Sequence, residues 1–382
     1  MRSIELIQPK HIIFGAGYAQ DWANIVLAGK KQRVLLLSTH PLWAVLEKSI
    51  GNAREKGLEL LCLDYSWRAE PDTEIFENLH RQSKDFGPQA IVAIGGGSVL
   101  DVGKLLAALS SGTQKPSDVF GKNLLDSRDN LLICVPTTAG TGSEVSPNAI
   151  LFDLRDGEKK GIISPWLIPD TALIDPEMTF SLPPKLTAET GMDALCHCIE
   201  AYTNKYAHPA VDLYALKGIE YVYKNLKTAV KEGNNIEARS AMALASMYGG
   251  LCLGPVNTSA VHALSYGLAG KYHFSHGLAN AVLLPAVMLF NMEADLEKNA
   301  RIALAMGLPD KGDLRATARS GIKAIQELSR DCGIPQSLSS LGVKREDLPQ
   351  LADMAMNVKR LLNNNPRELE WKDALSIYQS IL

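Results

Sequence analysis

The first half of the chain alternates two patterns. Short runs in which nearly every position is aliphatic are followed by stretches whose apolar residues recur every three or four positions. Continuous apolar runs bounded by turn residues predict strands buried on both faces, and the spacing between them predicts helices. Together they describe a parallel sheet wrapped by helices. RVLLLST, LELLCLD, AIVAIGG and LLICVPTT predict strands at 33–39, 58–64, 90–96 and 131–138, with helices expected at about 42–56, 73–86 and 98–110. From about Leu186 onward the texture changes to Ala- and Leu-rich segments with helical spacing, and strand-like runs become scarce. The expected fold is an α/β N-terminal domain over 1–182 and an all-α C-terminal domain over 183–382, with the boundary in the Pro-containing stretch 175–184.

Composition narrows the function classes. A chain of 382 residues, 46% hydrophobic, is too long for one ordinary core, which agrees with two domains. Its net charge of −3 and dispersed Lys and Arg provide no basic field, so no nucleic-acid partner is expected. The N-terminal MRSIELIQPKHIIFG has no hydrophobic signal core, and no stretch approaches the ~20 apolar residues that span a bilayer. A cytoplasmic protein without a membrane partner is therefore expected. Six cysteines occur without a C-x-x-C pair, as reduced and mostly buried thiols would.

Two glycine-rich loops carry candidate chemistry in the first half. AIVAIGGGSVLDVGK ends a buried strand in Gly95, Gly96 and Gly97, and Ser98 opens a helix that continues through Asp101. Glycines let the backbone approach a pyrophosphate closely, and the free amides at the start of the helix stabilise its charge. A tight turn with no ligand has the same local sequence. After the next strand, PTTAGTGSE supplies Thr137, Thr138 and Thr141 at the carboxyl end of a parallel strand, where open α/β sheets bind ligands. Two such loops on successive strands favour a dinucleotide over a lone phosphate.

The second half holds a candidate metal site. Asp193 and His197 stand four apart in the helical segment TGMDALCHCIEAY, so both side chains leave one helix face; His262 and His276 lie in SAVHALSYG and HFSHGLANA. Each alone is more often a surface or hydrogen-bonded core residue. Only eight histidines exist, however, and His197, His262, His273 and His276 all fall in Ala-, Leu- and Gly-rich segments where an unpaired ring is costly to bury. Three nitrogens and one carboxylate oxygen suit a divalent first-row metal, with room for a substrate oxygen. Cys196 and Cys198 point about 100° to either side of His197 and are not expected to ligate.

GGGSVLDVGK, PTTAGTGSEVS, TGMDALCHCIEAY, AVHALSY and HFSHGLANA, in this order, resemble the iron-containing (group III) alcohol dehydrogenases, a family that includes lactaldehyde reductases and 1,3-propanediol dehydrogenases. The resemblance runs to the closing NNNPRELEWKDALSIYQSIL. It implies a dinucleotide-binding α/β domain, a helical domain, and a cleft holding cofactor, metal and substrate. Its metal ligands fall on Asp193, His197, His262 and His276, and its pyrophosphate loop on Gly95, Gly96, Gly97 and Ser98. The hydroxyls around the dinucleotide fall on Thr137, Thr138 and Thr141. Lys159 in DGEKKG matches a basic residue near the cofactor, and Asn148 a position facing the substrate, although a solvated lysine and a turn cap after Pro147 are equally consistent with the sequence. Fe(II) is the metal the resemblance implies; histidine nitrogens suit Zn(II) as well. A homo-oligomer is implied too, commonly through a shared N-terminal strand, for which IELIQ and KHIIFG are suitable.

Two departures from the family pattern bear on chemistry. Many NAD-preferring members end the RVLLLST strand in Asp; here Thr39 stands there, which admits NADPH beside NADH. Lactaldehyde-reductase-like members carry a further His four residues after His262, where this chain has Tyr266. His273 is the candidate to take over proton relay, or else supports the site from outside it. The expected activity is hydride transfer between NAD(P)H and a small primary alcohol or aldehyde whose oxygen the metal polarises. Glycerol dehydrogenases, maleylacetate reductases and a dehydroquinate-synthase-like lyase remain alternatives of the same architecture, and a binding protein without catalysis an alternative of another class.

Overall fold

Alternation within the apolar runs decides which face of the sheet each side chain enters. In β2 (Arg33–Ser38), Leu35 and Leu37 join one buried cluster with β3 (Glu59–Asp64), α3 (Thr73–Phe86) and the helix that follows β4 (Ala90–Gly95). Val34 and Leu36 point the other way, into a cluster with residues 19–26 and 42–53. Helices therefore cover both faces. The structure is a computed structural model that describes residues 2–65, 71–155 and 157–382.

Numbered in chain order, the first unit contains β1 (His11–Phe14), α1 (Trp22–Ala28), β2, α2 (His40–Glu55), β3, α3, β4 and α4 (Gly97–Leu109). It continues with β5 (Gly121–Lys122), β6 (Leu131–Pro136), β7 (Asn148–Asp153), β8 (Glu158–Ile163) and β9 (Thr171–Ile174). Six strands form one sheet in the order β1-β9-β6-β4-β2-β3, parallel at every pairing. The chain leaves β2 to one side for β3 and returns on the other side for β4. The order thus reverses between β2 and β4, and open α/β sheets bind ligands outside the strand ends at such a point. Thr39 follows β2 there, and Gly96, Gly97 and Ser98 follow β4.

A small second sheet, β5-β8-β7, does not follow from the sequence reading. It takes in part of the DGEKKG segment expected as a turn: Lys159 lies in β8 opposite Phe152 of β7, while Asp156 lies outside the described residues. Of the two candidate N-terminal β segments, KHIIFG contains β1 and IELIQ forms no strand.

The second unit is helical and holds Phe180–Leu382, the N-terminal residues up to Leu6 and the loop segment Ala139–Gly142. Its helices are α5 (Pro184–Thr203), α6 (Pro209–Lys231), α7 (Ile236–Leu253), α8 (Ala260–Tyr272) and α9 (His276–Asn291). After them come α10 (Leu296–Ala305), α11 (Leu314–Asp331), α12 (Leu348–Asn357), α13 (Lys359–Leu362) and α14 (Trp371–Ser380). One core joins them, and α5 lies in it, buried at almost every position from Thr187 to Thr203. Gly142, at φ 61°, lies against α7, where a Cβ would come within 2.6 Å of the Gly250 amide nitrogen. Only glycine meets both demands.

The expectation that no stretch approaches a membrane-spanning length is corrected. The helical run His276–Ala294 has 19 residues with mean hydropathy 1.4, but 67% of it is buried against the other helices. Its apolarity is that of a core helix. All six cysteines are free thiols, five of them buried and Cys62 exposed.

Candidate metal centre and cofactor loops

Because α5 is buried all round, any polar side chain on it needs a partner inside the helical unit. Asp193 and His197 leave one face of α5, His262 comes from the first turn of α8, and His276 is the first residue of α9. One potential ligand atom from each lies within 4.8 Å of all the others. Asp193 Oδ1 is 3.6 Å from His276 Nε2, 3.8 Å from His262 Nε2 and 4.0 Å from His197 Nε2. Asp193, His197 and His262 are almost fully buried, while the His276 side chain is 30% exposed, so the group opens on one side only.

The α5–α9 contact that sets this geometry depends on Gly277. A Cβ there would collide with the Glu189 carbonyl, so glycine lets the start of α9 close on α5 and place His276 beside Asp193. Ser275 caps α9 by accepting from the Leu278 amide at 3.3 Å, and donates its own proton to Glu189 Oε2 at 2.6 Å.

The imidazole hydrogen bonds orient the rings. His197 Nδ1 faces the Gly140 carbonyl at 3.2 Å, and a carbonyl only accepts, so Nδ1 carries the proton. His262 Nδ1 bonds Glu200 Oε2. In these tautomers both Nε2 atoms present bare lone pairs, and they face each other at 3.1 Å with no proton to share. Asn280, one turn after His276, directs its Nδ2 at Asp193 Oδ1 (2.7 Å), His262 Nε2 (3.1 Å) and His276 Nε2 (3.2 Å), while its Oδ1 is buried without a partner.

Electrostatics point the same way. Burial opposes ionisation of Asp193, but the surrounding imidazoles in their protonated form, with the Asn280 amide, outweigh it and hold the carboxyl down at about 2 while no metal takes their place. Burial, with His197 and His276 beside it, pushes His262 well below its ordinary value, so the ring is neutral and ready to ligate. Three carboxyl groups, Glu189, Asp193 and Glu200, are buried on α5; Lys185 approaches Glu189 at 3.9 Å, and among the described residues neither Asp193 nor Glu200 pairs with a Lys or Arg. Nitrogens converging on the buried Asp193 carboxylate call for a cation. The donor set fits a divalent metal, for which tetrahedral N or O ligands at about 2.0–2.2 Å stand roughly 3.3–3.6 Å apart.

In the α/β unit, α4 begins at Gly97 directly after β4, with Gly96 as its N-cap and no side-chain cap, so its first amides are open to an anion. A Cβ on Gly95 would clash with the Val99 side chain at 2.6 Å. Thr137 is buried and its amide bonds the Gly95 carbonyl at 2.9 Å, while Ser98, Thr138 and Thr141 are half-buried. Thr39 is the N-cap of α2 and makes no side-chain cap bond. Asp101 is turned inward: Oδ2 accepts from the Ile150 amide at 3.0 Å and Oδ1 from Ser143 Oγ at 2.5 Å. Beside it lies Lys104, fully buried, with Nζ donating to the Ser143 carbonyl at 2.9 Å and Ser143 Oγ at 2.8 Å. This brace ties the end of the second loop to α4.

The remaining candidates are placed as follows. Asn148 is the first residue of β7, not a turn cap, and its Oδ1 is buried without a hydrogen bond. Lys159 is half-buried on β8, and Tyr266 is half-buried at the edge of the helical core. His273 is exposed at the C-cap of α8 with φ 54°, and no hydrogen bond or ring contact links it to the four ligand residues among those described. Glu200 and Asn280 were not anticipated. Their signal was available: Glu200 is three after His197 and seven after Asp193, and Asn280 is four after His276, each on the same helix face.

Comparison with known proteins agrees with the geometry. Residues 9–176 match the iron-containing alcohol dehydrogenase family, and residues 187–382 the C-terminal part of the Fe-containing alcohol dehydrogenase family. The chain belongs to the iron-containing alcohol dehydrogenase family. It is 34% identical over 379 residues to the sulfoacetaldehyde reductase of Bilophila wadsworthia (strain 3_1_6), covering 97% of each chain. Its fold superposes on a crystal structure of 1,3-propanediol oxidoreductase with a TM-score of 0.96 at 33% identity, over 100% of both chains. Sulfoacetaldehyde reductase from Bifidobacterium kashiwanohense, in complex with NAD+, superposes with a TM-score of 0.90 at 29% identity, over 100% of this chain and 99% of that one. As an iron-containing alcohol dehydrogenase, the chain is a metal-dependent oxidoreductase of alcohols and aldehydes linked to a nicotinamide dinucleotide.

Proposed function

We propose that this enzyme interconverts a small primary alcohol and its aldehyde, with Asp193, His197, His262 and His276 holding Fe(II) or Zn(II) and with either NADH or NADPH as reductant. The observation that carries the reading is the convergence of three imidazole nitrogens on one buried carboxylate, with the His276 side chain 30% exposed. When bound, such a metal polarises the substrate oxygen as a Lewis acid. A nicotinamide dinucleotide held by the two glycine-rich loops would supply the hydride for the carbonyl carbon, and the substrate oxygen would take the accompanying proton.

Other residues serve binding and proton supply. Gly95, Gly96, Gly97 and Ser98 hold the pyrophosphate at the start of α4, with Thr137, Thr138 and Thr141 bonding the rest of the dinucleotide and Lys159 contributing positive charge nearby. Asp101 joins the cofactor-binding residues at the start of α4, anchored by the Ser143 hydroxyl and the Ile150 amide, with lone pairs remaining on both oxygens. Thr39 offers a hydroxyl and no negative charge where the adenosine ribose binds, so a 2′-phosphate is tolerated. Asn148 Oδ1 is an unused acceptor for a second substrate hydroxyl, and Tyr266 is a further substrate-facing residue. His273, exposed to water, passes the product proton to and from solvent; His273→Ala with unchanged turnover removes that role. The relatives that act on 1,3-propanediol and sulfoacetaldehyde set the size of the substrate expected, two or three carbons with a polar second group. A cytoplasmic homo-oligomer of two domains, 1–182 and 183–382, completes the reading.

The test is anaerobic. Protein stripped with chelator is reloaded separately with Fe(II) or Zn(II), and NADH and NADPH oxidation is followed with lactaldehyde, glycolaldehyde and sulfoacetaldehyde. Metal-dependent turnover with both cofactors is expected. Stoichiometric metal binding without turnover on any pairing overturns the reductase reading.

A further inference from the structure

We infer that Glu200 is a positioning residue for the metal: it holds the proton of His262 on Nδ1 so that Nε2 is free to ligate. The inference rests on the metal reading above and adds a residue that the ligand set does not contain. Glu200 lies on α5, three residues after His197, and is buried. Its two oxygens have separate duties. Oε1 accepts from Ser259 Oγ at 3.0 Å and from the Val261 amide at 2.7 Å, which satisfies the uncapped start of α8; Oε2 bonds His262 Nδ1.

A buried carboxylate oxygen with two donors at its neighbour is an acceptor, so the proton between Oε2 and Nδ1 serves as an imidazole N–H. Of the three rings, His197 receives its orientation from a backbone carbonyl, which substitution cannot remove, and His262 receives it from two side chains, Glu200 at Nδ1 and the Asn280 amide at Nε2, of which only Glu200 meets the nitrogen that carries the proton. The opposite tautomer places a proton on His262 Nε2, pointing at His197 Nε2 only 3.1 Å away, where it forms an imidazole–imidazole hydrogen bond and closes the site to metal. Glu200 therefore selects between a ligating arrangement and a self-satisfied one. Carboxylate–histidine pairs of this kind orient metal ligands generally, and losing the carboxylate costs about 10–100-fold in metal affinity.

Glu200→Gln separates this role from a structural one. A glutamine keeps Oε1 as acceptor for Ser259 and Val261, so α8 stays capped, and presents NH2 to Nδ1, which must then accept. The readouts are Zn(II) affinity by chelator competition and the His262 tautomer by 15N NMR of the metal-free protein. The expected results are Nδ1–H in the wild type, Nε2–H in Glu200→Gln, and Zn(II) affinity lower by about 10–100-fold at an unchanged metal-free melting temperature. Ser259→Ala, which removes a cap bond and leaves the His262 contact, retains wild-type affinity. Wild-type Zn(II) affinity in folded Glu200→Gln, or Nε2–H already present on His262 in the wild type, overturns the inference. If the wild type binds no metal, the metal reading falls, whereas the tautomer measured without metal still decides what Glu200 does.

Discussion

At the scale of single residues, the site is a problem of hydrogen-bond direction. The four ligand residues were legible because histidine and aspartate in apolar helical segments are costly without a partner. Glu200 and Asn280 were legible only as positions on the same helix faces, and which group each meets was not, since Glu200 meets His262 from 62 positions away and Asn280 meets Asp193 from 87. No spacing rule reaches across such separations. Thr39 is legible in the opposite sense, as a missing charge. Replacing it with Asp places a carboxylate beside the 2′-phosphate of NADPH. Thr39→Asp should raise the KM for NADPH at least tenfold and leave the KM for NADH within about threefold, read from initial rates with each cofactor.

Among the elements, strands and helices with a continuous or periodic apolar face were read to within a few residues, because burial on a regular backbone imposes that period. The β7–β8 pair was missed for a physical reason. EKKGII carries polar, loop-like residues, and it is a strand because β7, in antiparallel register, and the short β5, in parallel register, supply its backbone partners. The Asp101–Lys104–Ser143 brace likewise links segments about 40 residues apart to hold the second loop on α4. Lys104→Met keeps the length and removes the donor, leaving the Ser143 carbonyl and Asp101 buried without it. A loss of about 3–5 kcal/mol in the stability of the α/β unit is expected in urea unfolding, with a raised KM for the dinucleotide. A variant as stable as the wild type would show that the brace carries no weight.

Whole-molecule behaviour follows from what is buried in each unit. In the α/β unit, burial raises Glu144 from 4.5 to about 7. The folded state therefore binds this proton more tightly than the unfolded chain does. Its contribution is fully present below about pH 4.5 and is lost as pH rises through 7. Relative to Glu144→Gln, the wild type should lose about 3 kcal/mol between pH 4.5 and 8, and parallel stability–pH curves would refute this. In the helical unit, a metal that binds only the assembled group stabilises the fold by mass action. Zn(II) at about 100 times its dissociation constant should raise the melting temperature by roughly 5–10 °C, and His276→Ala should abolish most of that rise.

By itself the sequence determined the fold class, the two glycine-rich loops and the four residues that come together as the candidate metal site, because each is written in local pattern or in residue types too costly to bury idle. Tertiary structure alone decided which nitrogen of His262 meets Glu200, which donors the oxygens of Asp101 meet, and that the apolar run of α9 lies in a core. Those outcomes depend on what stands opposite each group in space. The partners come from elements whose meeting depends on the packing of the whole helical or α/β unit, and no local rule anticipates that packing.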